Sequence, residues 1–352
     1  MPIPIVDMGR VPFDSSNHAR YRCRGEGRQA REAIDVASIR GPFLVIGRAG
    51  MDLTPAPPGT AIEAAETFRA DLGGSSANIA VGLVKLGEHA DLVTRVSDDA
   101  IGRYCVRALE GYGVGTDHVR ATAGERDVRN SLAIYESRVE DHQSVIFRNG
   151  VADFRMDGSD VEAIDYARYG TLITTGTVFA AEPSRSAAFR AFELARKAGV
   201  QLVFDIDYRP YSWTSAQEAS AVLTRAAEAC SVVVGNDEEF DFMDGWSGRG
   251  LERARTLAEG RTVVYKMGER GSVTFHGGDE REDGIFPVTA LKPTGAGDSF
   301  MAGFVSSLAQ GRDLGKAVRR GAAAAAITVS RVGCAPAMPT MRELEGFLEE
   351  RG

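Results

Sequence analysis

Short apolar runs that alternate with helix-length segments constrain the fold of this chain more than any other feature. Strand-like runs lie at residues 43–47, 91–96, 171–174, 201–206, 232–234 and 262–266, and helical patterns lie at 100–112, 184–198, 215–229, 314–329 and 341–350. Parallel strands need a crossover connection, usually a helix, and strands buried on both faces are continuously apolar. The alternation therefore predicts a mostly parallel central sheet between two helical layers, a three-layer α/β/α sandwich.

Residues 130–148 break this alternation. They contain two extended runs around the polar turn Glu140-Asp141-His142, which is the pattern of a β-hairpin. A strand near residues 66–70 is a candidate partner for the hairpin. We therefore expect a small β-sheet lid with strands from about 51–72 and 130–150, separate from the central sheet.

The rest of the chain fits one domain that spans residues 41–352. Residues 1–40 are polar, rich in arginine and without periodicity, which predicts a disordered N-terminal extension. Residues 51–72 contain three prolines and look irregular apart from the strand candidate near residues 66–70. Residues 271–275 and 284–287 are β-like, which predicts short strands there.

Composition and charge exclude several classes of function. The 352 residues carry 41 Lys and Arg against 49 Asp and Glu, a net charge of −8, with no basic block. Neither nucleic acid nor an anionic membrane surface is therefore an expected partner. The 4 cysteines are scattered, so we expect reduced thiols and no zinc site. No apolar run approaches roughly 18 residues, and no secretory signal is evident, which predicts a cytoplasmic protein.

A polar turn that contains glycine, residues 293–297, runs directly into an apolar helical pattern. The N–H groups of Gly295, Ala296 and Gly297 can approach an anion closely, and the following helix adds the positive end of its dipole. A carboxylate at the mouth of such a site would normally repel a phosphate. We interpret Asp298 as a base that takes the proton from an attacking hydroxyl during phosphoryl transfer. The alternative is a simple helix N-cap.

Polar residues follow the predicted strands at the edge where open parallel sheets bind their ligands. They are Asp52, Asp205, Asp207, Arg209, Asn236, Glu238, Glu239, Lys266, Gly268 and Gly271. All of these strand ends are expected to face the crevice that contains residues 295–298. Their convergence is harder to explain by packing than any one residue is, so it favours a catalytic crevice.

Two motifs, in their order along the chain, resemble the ribokinase (PfkB) family of carbohydrate kinases. The first comprises Gly73-Gly74, Asn78 and Leu86-Gly87, and the second comprises Gly295-Ala296-Gly297-Asp298, Phe300 and Gly303. The resemblance covers roughly residues 41–340. It implies a ribokinase-like sandwich with a β-sheet lid, and a kinase that uses ATP and Mg²⁺ to phosphorylate a small sugar.

The same resemblance implies roles for individual residues. The residues that resemble the catalytic base and its anion hole are Asp298, Gly295, Ala296 and Gly297. Those that resemble ligands of sugar hydroxyls are Asp52, Gly73, Gly74 and Asn78. Those that match the nucleotide side are Lys266, Gly268 and Gly271, together with the Asn-x-x-Glu pair Asn236 and Glu239, which acts near Mg²⁺ and the phosphates.

Two arginines narrow the class of substrate. Arg148 ends the lid hairpin, and Arg209 follows the strand at 201–206. Together they can grip a carboxylate, in the best case through bidentate hydrogen bonds. This suggests a sugar acid rather than a neutral sugar. Residues 147–153 and 207–213 resemble those of family members that act on keto-deoxy sugar acids, and the sequence leaves open which of two such acids is the substrate.

Lys292 departs from the wider family, in which many members carry an aspartate that helps to hold a monovalent cation beside the anion hole. A lysine cannot coordinate a cation. We hypothesise that its ammonium group replaces that ion at the nucleotide side of the site, so that activity does not depend on K⁺.

Other interpretations stay open at this point. A homodimer formed through the lid is compatible with the resemblance, and the sequence does not determine the oligomeric state. A non-catalytic sugar or nucleotide sensor on the same fold is an alternative function, although a sensor does not need the base Asp298. A dinucleotide-binding oxidoreductase is disfavoured because no GxGxxG motif follows the first strand.

Overall fold

The computed structural model describes residues 21–22, 39–125, 127–138 and 141–351. Most of the predicted extension over residues 1–40 lies outside the described residues, and Tyr21–Arg22 within it pairs with the edge of the central sheet. The strands are β1 Tyr21–Arg22, β2 Phe43–Ile46, β3 Gly50–Ala56, β4 Thr67–Gly73, β5 Ala90–Val96, β6 Val119–Ala121, β7 Leu132–Tyr135, β8 Ser144–Phe147, β9 Thr171–Thr175, β10 Gln201–Asp205, β11 Val232–Asn236, β12 Thr262–Lys266, β13 Ser272–His276 and β14 Asp279–Asp283. The helices are α1 Ser75–Lys85, α2 Ala100–Tyr112, α3 Gly158–Glu162, α4 Ser184–Lys197, α5 Ala216–Ala229, α6 Asp237–Met243, α7 Gly250–Leu257, α8 Ala296–Ala309, α9 Leu314–Val329 and α10 Met341–Arg351.

The central sheet has the strand order β1-β14-β13-β12-β11-β10-β9-β2-β5-β6. The neighbouring pairs in the part β12-β11-β10-β9-β2-β5-β6 are all parallel. Strands β13, β14 and β1 pair antiparallel beyond β12. Side chains of β2 alternate between two cores. Phe43 and Val45 pack with α1, α2, α8, α9 and α10, and Leu44 and Ile46 pack with α3 to α7. Burial on both faces explains the continuously apolar strands and confirms the predicted sandwich.

Close helix packing fixes the position of α8 in one of these layers. A Cβ on Gly82 of α1 would lie 2.6 Å from Cβ of Ala302 in α8. A Cβ on Gly303 would lie 3.0 Å from Cβ of Ala324 in α9. Glycine and alanine therefore let α1, α8 and α9 approach one another closely, which holds the N-terminus of α8 in a defined place.

The antiparallel edge corrects one sequence prediction. Gly277 and Gly278, with φ values of 60° and 92°, form the two-residue turn of a β13–β14 hairpin. This turn places the last strand at Asp279–Asp283, so the prediction of a strand at 284–287 is wrong. Strand β14 was not predicted because all its residues are charged, and charged residues are unusual in strands except at sheet edges.

The second sheet has the strand order β4-β3-β7-β8 and is the predicted lid sheet. Strand β3 lies within the predicted lid region of about 51–72, but only residues 66–70 were named there as a strand, because Pro55 cannot donate a ladder hydrogen bond. Pairing of β3 with β7 covers only Met51 to Leu53, so Pro55 lies beyond the part of the strand that is paired on both sides. No helix of the described residues is both long and apolar enough to cross a membrane.

Candidate active site

The turn before α8 is built around Gly295, whose φ of 83° lies in the left-handed region. A side chain there would be strained, and its Cβ would lie 3.3 Å from Sγ of the buried Cys334. The first backbone hydrogen bond of α8 runs from the N–H of Ser299 to the C=O of Gly295 at 3.1 Å. The N–H groups of residues 296–298 therefore precede the intrahelical bonds and can bind an anion at the positive end of the dipole.

Asp298 lies half-buried in the first turn of α8, and its Oδ2 accepts a hydrogen bond from Nδ2 of Asn78 at 2.8 Å. Burial raises the pKa of Asp298 to about 6, and the neighbouring Asp207 carboxylate acts in the same direction. The hydrogen bond from Asn78 and the charges of Arg209 and Lys266 favour the ionised form. A carboxylate with this pKa is ionised at neutral pH and basic enough to accept a proton.

Asn78 contacts the candidate base Asp298, and this contact was not predicted from the sequence. The two residues are 220 positions apart, and only the close packing of α1 on α8 brings them together. Oδ1 of Asn78 is buried and has no hydrogen-bond partner among the described residues. The amide can therefore orient Asp298 through Nδ2 while Oδ1 accepts a hydrogen bond from a substrate hydroxyl.

Asp52 lies within β3 of the lid sheet rather than in a loop after β2. Its side chain is buried directly over Gly73, because a Cβ on Gly73 would lie 2.0 Å from Cγ of Asp52. Gly74 has a φ of 100°, and a Cβ there would lie 2.4 Å from the C=O of Arg48. Burial raises the pKa of Asp52 to about 6, with Arg48 opposing. Oδ1 of Asp52 is buried without a partner in the described part of the chain, which suits a sugar hydroxyl.

Asn236 and Glu239 form a capping box at the start of α6. The Glu239 N–H donates to Oδ1 of Asn236 at 2.8 Å, and the Asn236 N–H donates to Oε2 of Glu239 at 2.8 Å. Oε1 of Glu239 accepts a hydrogen bond from the N–H of Tyr208 at 3.1 Å. Burial raises the pKa of Glu239, opposed by Lys266 and Arg209. Glu239 therefore joins the end of β11 to the loop after β10.

Lys266 ends β12 beside Asn236, its register partner in β11. Its Nζ lies 3.4 Å from the position that a Cβ on Gly297 would occupy, so the ammonium group stands at the anion hole. Gly268 and Gly271, with φ values of 57° and 87°, shape the turn that follows. A Cβ on Gly271 would lie 2.1 Å from the C=O of Asp283, so this turn requires a glycine.

Asp205, at the end of β10, is a buried carboxyl group to which the sequence had assigned no role. Burial raises its pKa to about 7, the Lys266 charge opposes this, and the carboxylates of Glu239, Asp207 and Asp298 add to it. Among the described residues, no group of three or more His, Cys, Asp or Glu is arranged to hold a metal ion. The acidic side chains of the crevice therefore do not form a ready-made metal cage.

The two predicted carboxylate ligands differ in exposure. Arg148 is buried, and its Nη2 lies 2.6 Å from Oδ2 of Asp153 and donates to the C=O of Thr177 at 3.0 Å. Arg209 is half-exposed, and its Nη2 lies 2.8 Å from Oδ1 of Asp207. Each guanidinium group is thus already paired with a carboxylate.

Lys292 is fully buried, and its Nζ donates a hydrogen bond to the C=O of Thr294 in the turn before α8. Burial lowers its pKa, and the neighbouring Cys334, Asp298 and Asp52 oppose this change. A buried ammonium group therefore lies against the turn that is the predicted anion hole.

The sequence profile of the pfkB family carbohydrate kinases matches residues 43–341. The chain belongs to this family. It is 37% identical over 315 residues to the 5-dehydro-2-deoxygluconokinase of Geobacillus kaustophilus, which covers 88% of this chain and 93% of the relative. It is 36% identical over 316 residues to 5-dehydro-2-deoxygluconokinase 2 of Bacillus cereus, which covers 87% of this chain and 94% of the relative.

Solved structures of pfkB-type kinases share the fold. A Vibrio cholerae fructokinase double mutant with bound fructose, ADP and potassium ion has a TM-score of 0.77 at 24% identity, covering 87% of this kinase and 97% of the fructokinase. An Escherichia coli putative ribokinase II in complex with ATP and Mg²⁺ has a TM-score of 0.77 at 17% identity, and the match covers 88% of this chain and 99% of that chain. The predicted ribokinase-like fold is confirmed.

The raised pKa of Asp298 predicts how the activity of this pfkB kinase depends on pH. A base must be deprotonated to act, so we expect kcat/KM to fall as pH drops through about 6 and to level off above about 7. Asn78→Ala removes a hydrogen bond that favours the ionised form, so the apparent pKa should rise in that variant. The measurement is a pH–rate profile of both enzymes, and an activity that stays flat down to pH 5 would contradict the assignment.

Proposed function

We propose that this enzyme phosphorylates the primary hydroxyl of 5-dehydro-2-deoxy-D-gluconate with ATP. The single observation that carries a kinase reaction is the Asp298 carboxylate, held by Asn78 at the N-terminus of α8 with Lys266 beside it. The names of the relatives at 36% and 37% identity support the choice of substrate. We place the reaction in the cytoplasm, where ATP is available.

The reaction is an in-line phosphoryl transfer. Asp298 accepts the proton of the attacking hydroxyl, whose oxygen forms a bond to the γ-phosphorus as the bond to the β–γ bridging oxygen breaks and ADP leaves. The N–H groups of residues 296–298 and the Lys266 ammonium group stabilise the charge on the transferring group. Gly268 and Gly271 shape the turn on the nucleotide side.

Mg²⁺ fits the phosphate side of the crevice through water rather than through a protein cage. Each Glu239 oxygen accepts one backbone hydrogen bond, and each keeps a second lone pair that can accept from a metal-bound water. Mg²⁺ commonly keeps several waters and binds substrate phosphates, so Glu239 and Asn236 would hold it through those waters. When bound, the ion would neutralise charge on the phosphates.

The sugar acid binds between the lid sheet and the ends of the central strands. Buried oxygens of Asp52 and Asn78 that have no partner in the described part of the chain are acceptors for its hydroxyl groups. Gly73 leaves room for the side chain of Asp52, and Gly74 leaves room for the C=O of Arg48. Arg148 and Arg209 are the candidate ligands of its acid group, and both lower the pKa of Tyr211 against the effect of burial. Closure of the lid over the substrate excludes water and limits hydrolysis of ATP.

Lys292 takes the place of a monovalent cation. The structure of the V. cholerae fructokinase contains a potassium ion, and the buried Lys292 ammonium group supplies a fixed positive charge next to Thr294 in this chain. The activity is therefore independent of K⁺.

The enzyme is a homodimer that associates through the outer face of the lid sheet. Strand register puts Leu53, Phe68, Ile134, Val145 and Phe147 on one face, and 55% of Phe147 is exposed. We expect Val145→Asp with Phe147→Asp to give a monomer by analytical ultracentrifugation. Ile285→Asp, at a residue outside the lid that is nearly as exposed as Val145, should leave the mass unchanged. A wild-type enzyme that sediments as a monomer would contradict this interface.

The test of function is an assay of ADP release over a panel of sugar acids and neutral sugars. We expect the highest kcat/KM for 5-dehydro-2-deoxygluconate and a lower value for its keto-deoxy isomer, 2-dehydro-3-deoxygluconate. A neutral hexose should be the poorest substrate. Preference for a neutral sugar, or no turnover of any sugar, would overturn the proposal, and the second result would favour a sensor.

A further inference from the structure

Arg48 is a third arginine at the crevice, and no role has been assigned to it above. It follows β2 directly, at the point where the chain leaves the central sheet for the lid. Its C=O accepts a hydrogen bond from the N–H of Ala77 at 3.2 Å and abuts Gly74. The backbone of Arg48 is therefore fixed by the same glycine turn that makes room for Asp52.

The side chain of Arg48 has spare hydrogen-bonding capacity. It is only half-buried, and Nη1 donates to Oγ of Ser131 at 3.2 Å. No described residue brings a carboxylate oxygen within 4.0 Å of its guanidinium nitrogens. Arg148 and Arg209, in contrast, are each paired with a carboxylate at less than 3 Å, at 2.6 and 2.8 Å. Among the described residues Arg48 thus lacks a direct ion pair of the kind that holds the other two arginines, and Asp52 is the carboxylate that acts most on its pKa.

The surroundings of Arg48 fit an anionic ligand. Arg48, Arg209 and Arg148 all lower the pKa of Tyr211, against the larger effect of burial, so the three guanidinium charges act on one phenol. An arginine in a partly desolvated site is stabilised by a carboxylate that accepts two parallel hydrogen bonds.

We propose that Arg48 binds the carboxylate of the substrate and thereby selects a sugar acid over a neutral sugar. The inference rests on the proposed function, since it presupposes a sugar-acid substrate. Arg48 lies four residues before Asp52, on the segment that links the central sheet to the lid. Arg48 would therefore bind the acid group, and Asp52 a hydroxyl group, of the same substrate from one short segment of the chain.

The test compares Arg48→Gln with wild type on two substrates. One is 5-dehydro-2-deoxygluconate, and the other is its analogue in which a carboxamide replaces the carboxylate. We expect KM for the acid to rise by about 10²-fold, as for loss of a charged hydrogen-bonding partner. KM for ATP should stay within about 2-fold, and kcat/KM for the amide should be unchanged or higher. Arg190→Gln is the matched control, since Arg190 lies in a surface ion pair with Glu162 away from the crevice, and it should leave KM for the acid unchanged.

The outcomes separate the two claims. Wild-type enzyme that turns over neither the acid nor any other sugar acid overturns the proposed function. Wild-type enzyme that is active on the acid, with an unchanged KM in Arg48→Gln, overturns the role of Arg48 alone. If Arg48→Gln fails to fold by circular dichroism, Arg48→Lys decides. That variant keeps the charge but loses the planar guanidinium group that can donate two parallel hydrogen bonds, so KM for the acid should rise by about 10-fold. An unchanged KM would reject the contact.

Discussion

Replacing Asp298 with Asn is expected to lower kcat by about 10²- to 10⁴-fold, the usual contribution of a positioned general base. The amide has nearly the same shape as the carboxylate but cannot take the hydroxyl proton. The N–H groups of residues 296–298 and Lys266 are untouched, and a negative charge is removed from the mouth of the anion hole. ATP should therefore bind as tightly as before or slightly more tightly, as measured by calorimetry.

The control for this prediction is Asp313→Asn. Asp313 caps α9, where its Oδ1 accepts a hydrogen bond from the N–H of Lys316 at 2.9 Å, and Asn caps nearly as well. Its kcat should equal that of wild type. If Asp298 were only a helix cap, both variants would behave alike, so retained turnover in Asp298→Asn would reject the catalytic assignment.

The features that could be predicted from sequence are those with a local signature. Apolar runs bounded by helices gave the sandwich, because burial on both faces leaves a continuous pattern in each strand. The turn at Gly295 and the carboxylate at Asp298 were predicted for a similar reason, since glycine and charge stand out within seven residues of sequence. The roles assigned to the individual site residues stay predictions, and the structure supplies their geometry.

What was missed depends on contacts between distant segments. The hydrogen bond from Asn78 to Asp298 forms because small residues let α1 and α8 pack closely. Arg48 carries no motif and becomes notable only when Arg148 and Arg209 are found paired with carboxylates. Strand β3 contains a proline that normally argues against a strand, and only its pairing pattern explains why Pro55 is tolerated.

Lys292→Met is expected to lower kcat by about 10²-fold, comparable to the loss of one stabilising group from an oxyanion site. The buried ammonium group donates to the C=O of Thr294, so its removal frees the turn that presents Gly295 and the following N–H groups. Stability should change little, because Met fills a similar volume and spares the cost of a buried charge. A rate loss without a fall in Tm therefore identifies an effect on the site rather than on folding.

The dependence of the rate on K⁺ gives a second test of Lys292, which distinguishes a charge that replaces the ion from a side chain with only a structural role. Wild-type rates in K⁺ and in tetramethylammonium should agree within about 2-fold, since the fixed ammonium group already supplies the charge. Lys292→Asp places an anion in the same buried position, so that variant should be nearly inactive in tetramethylammonium and should regain rate as K⁺ is added. A wild-type enzyme that loses most of its rate without K⁺ would show that Lys292 does not replace the ion. If wild type proves independent of K⁺ but Lys292→Asp is not stimulated by it, the charge at this position acts through the conformation of the turn at Thr294 alone.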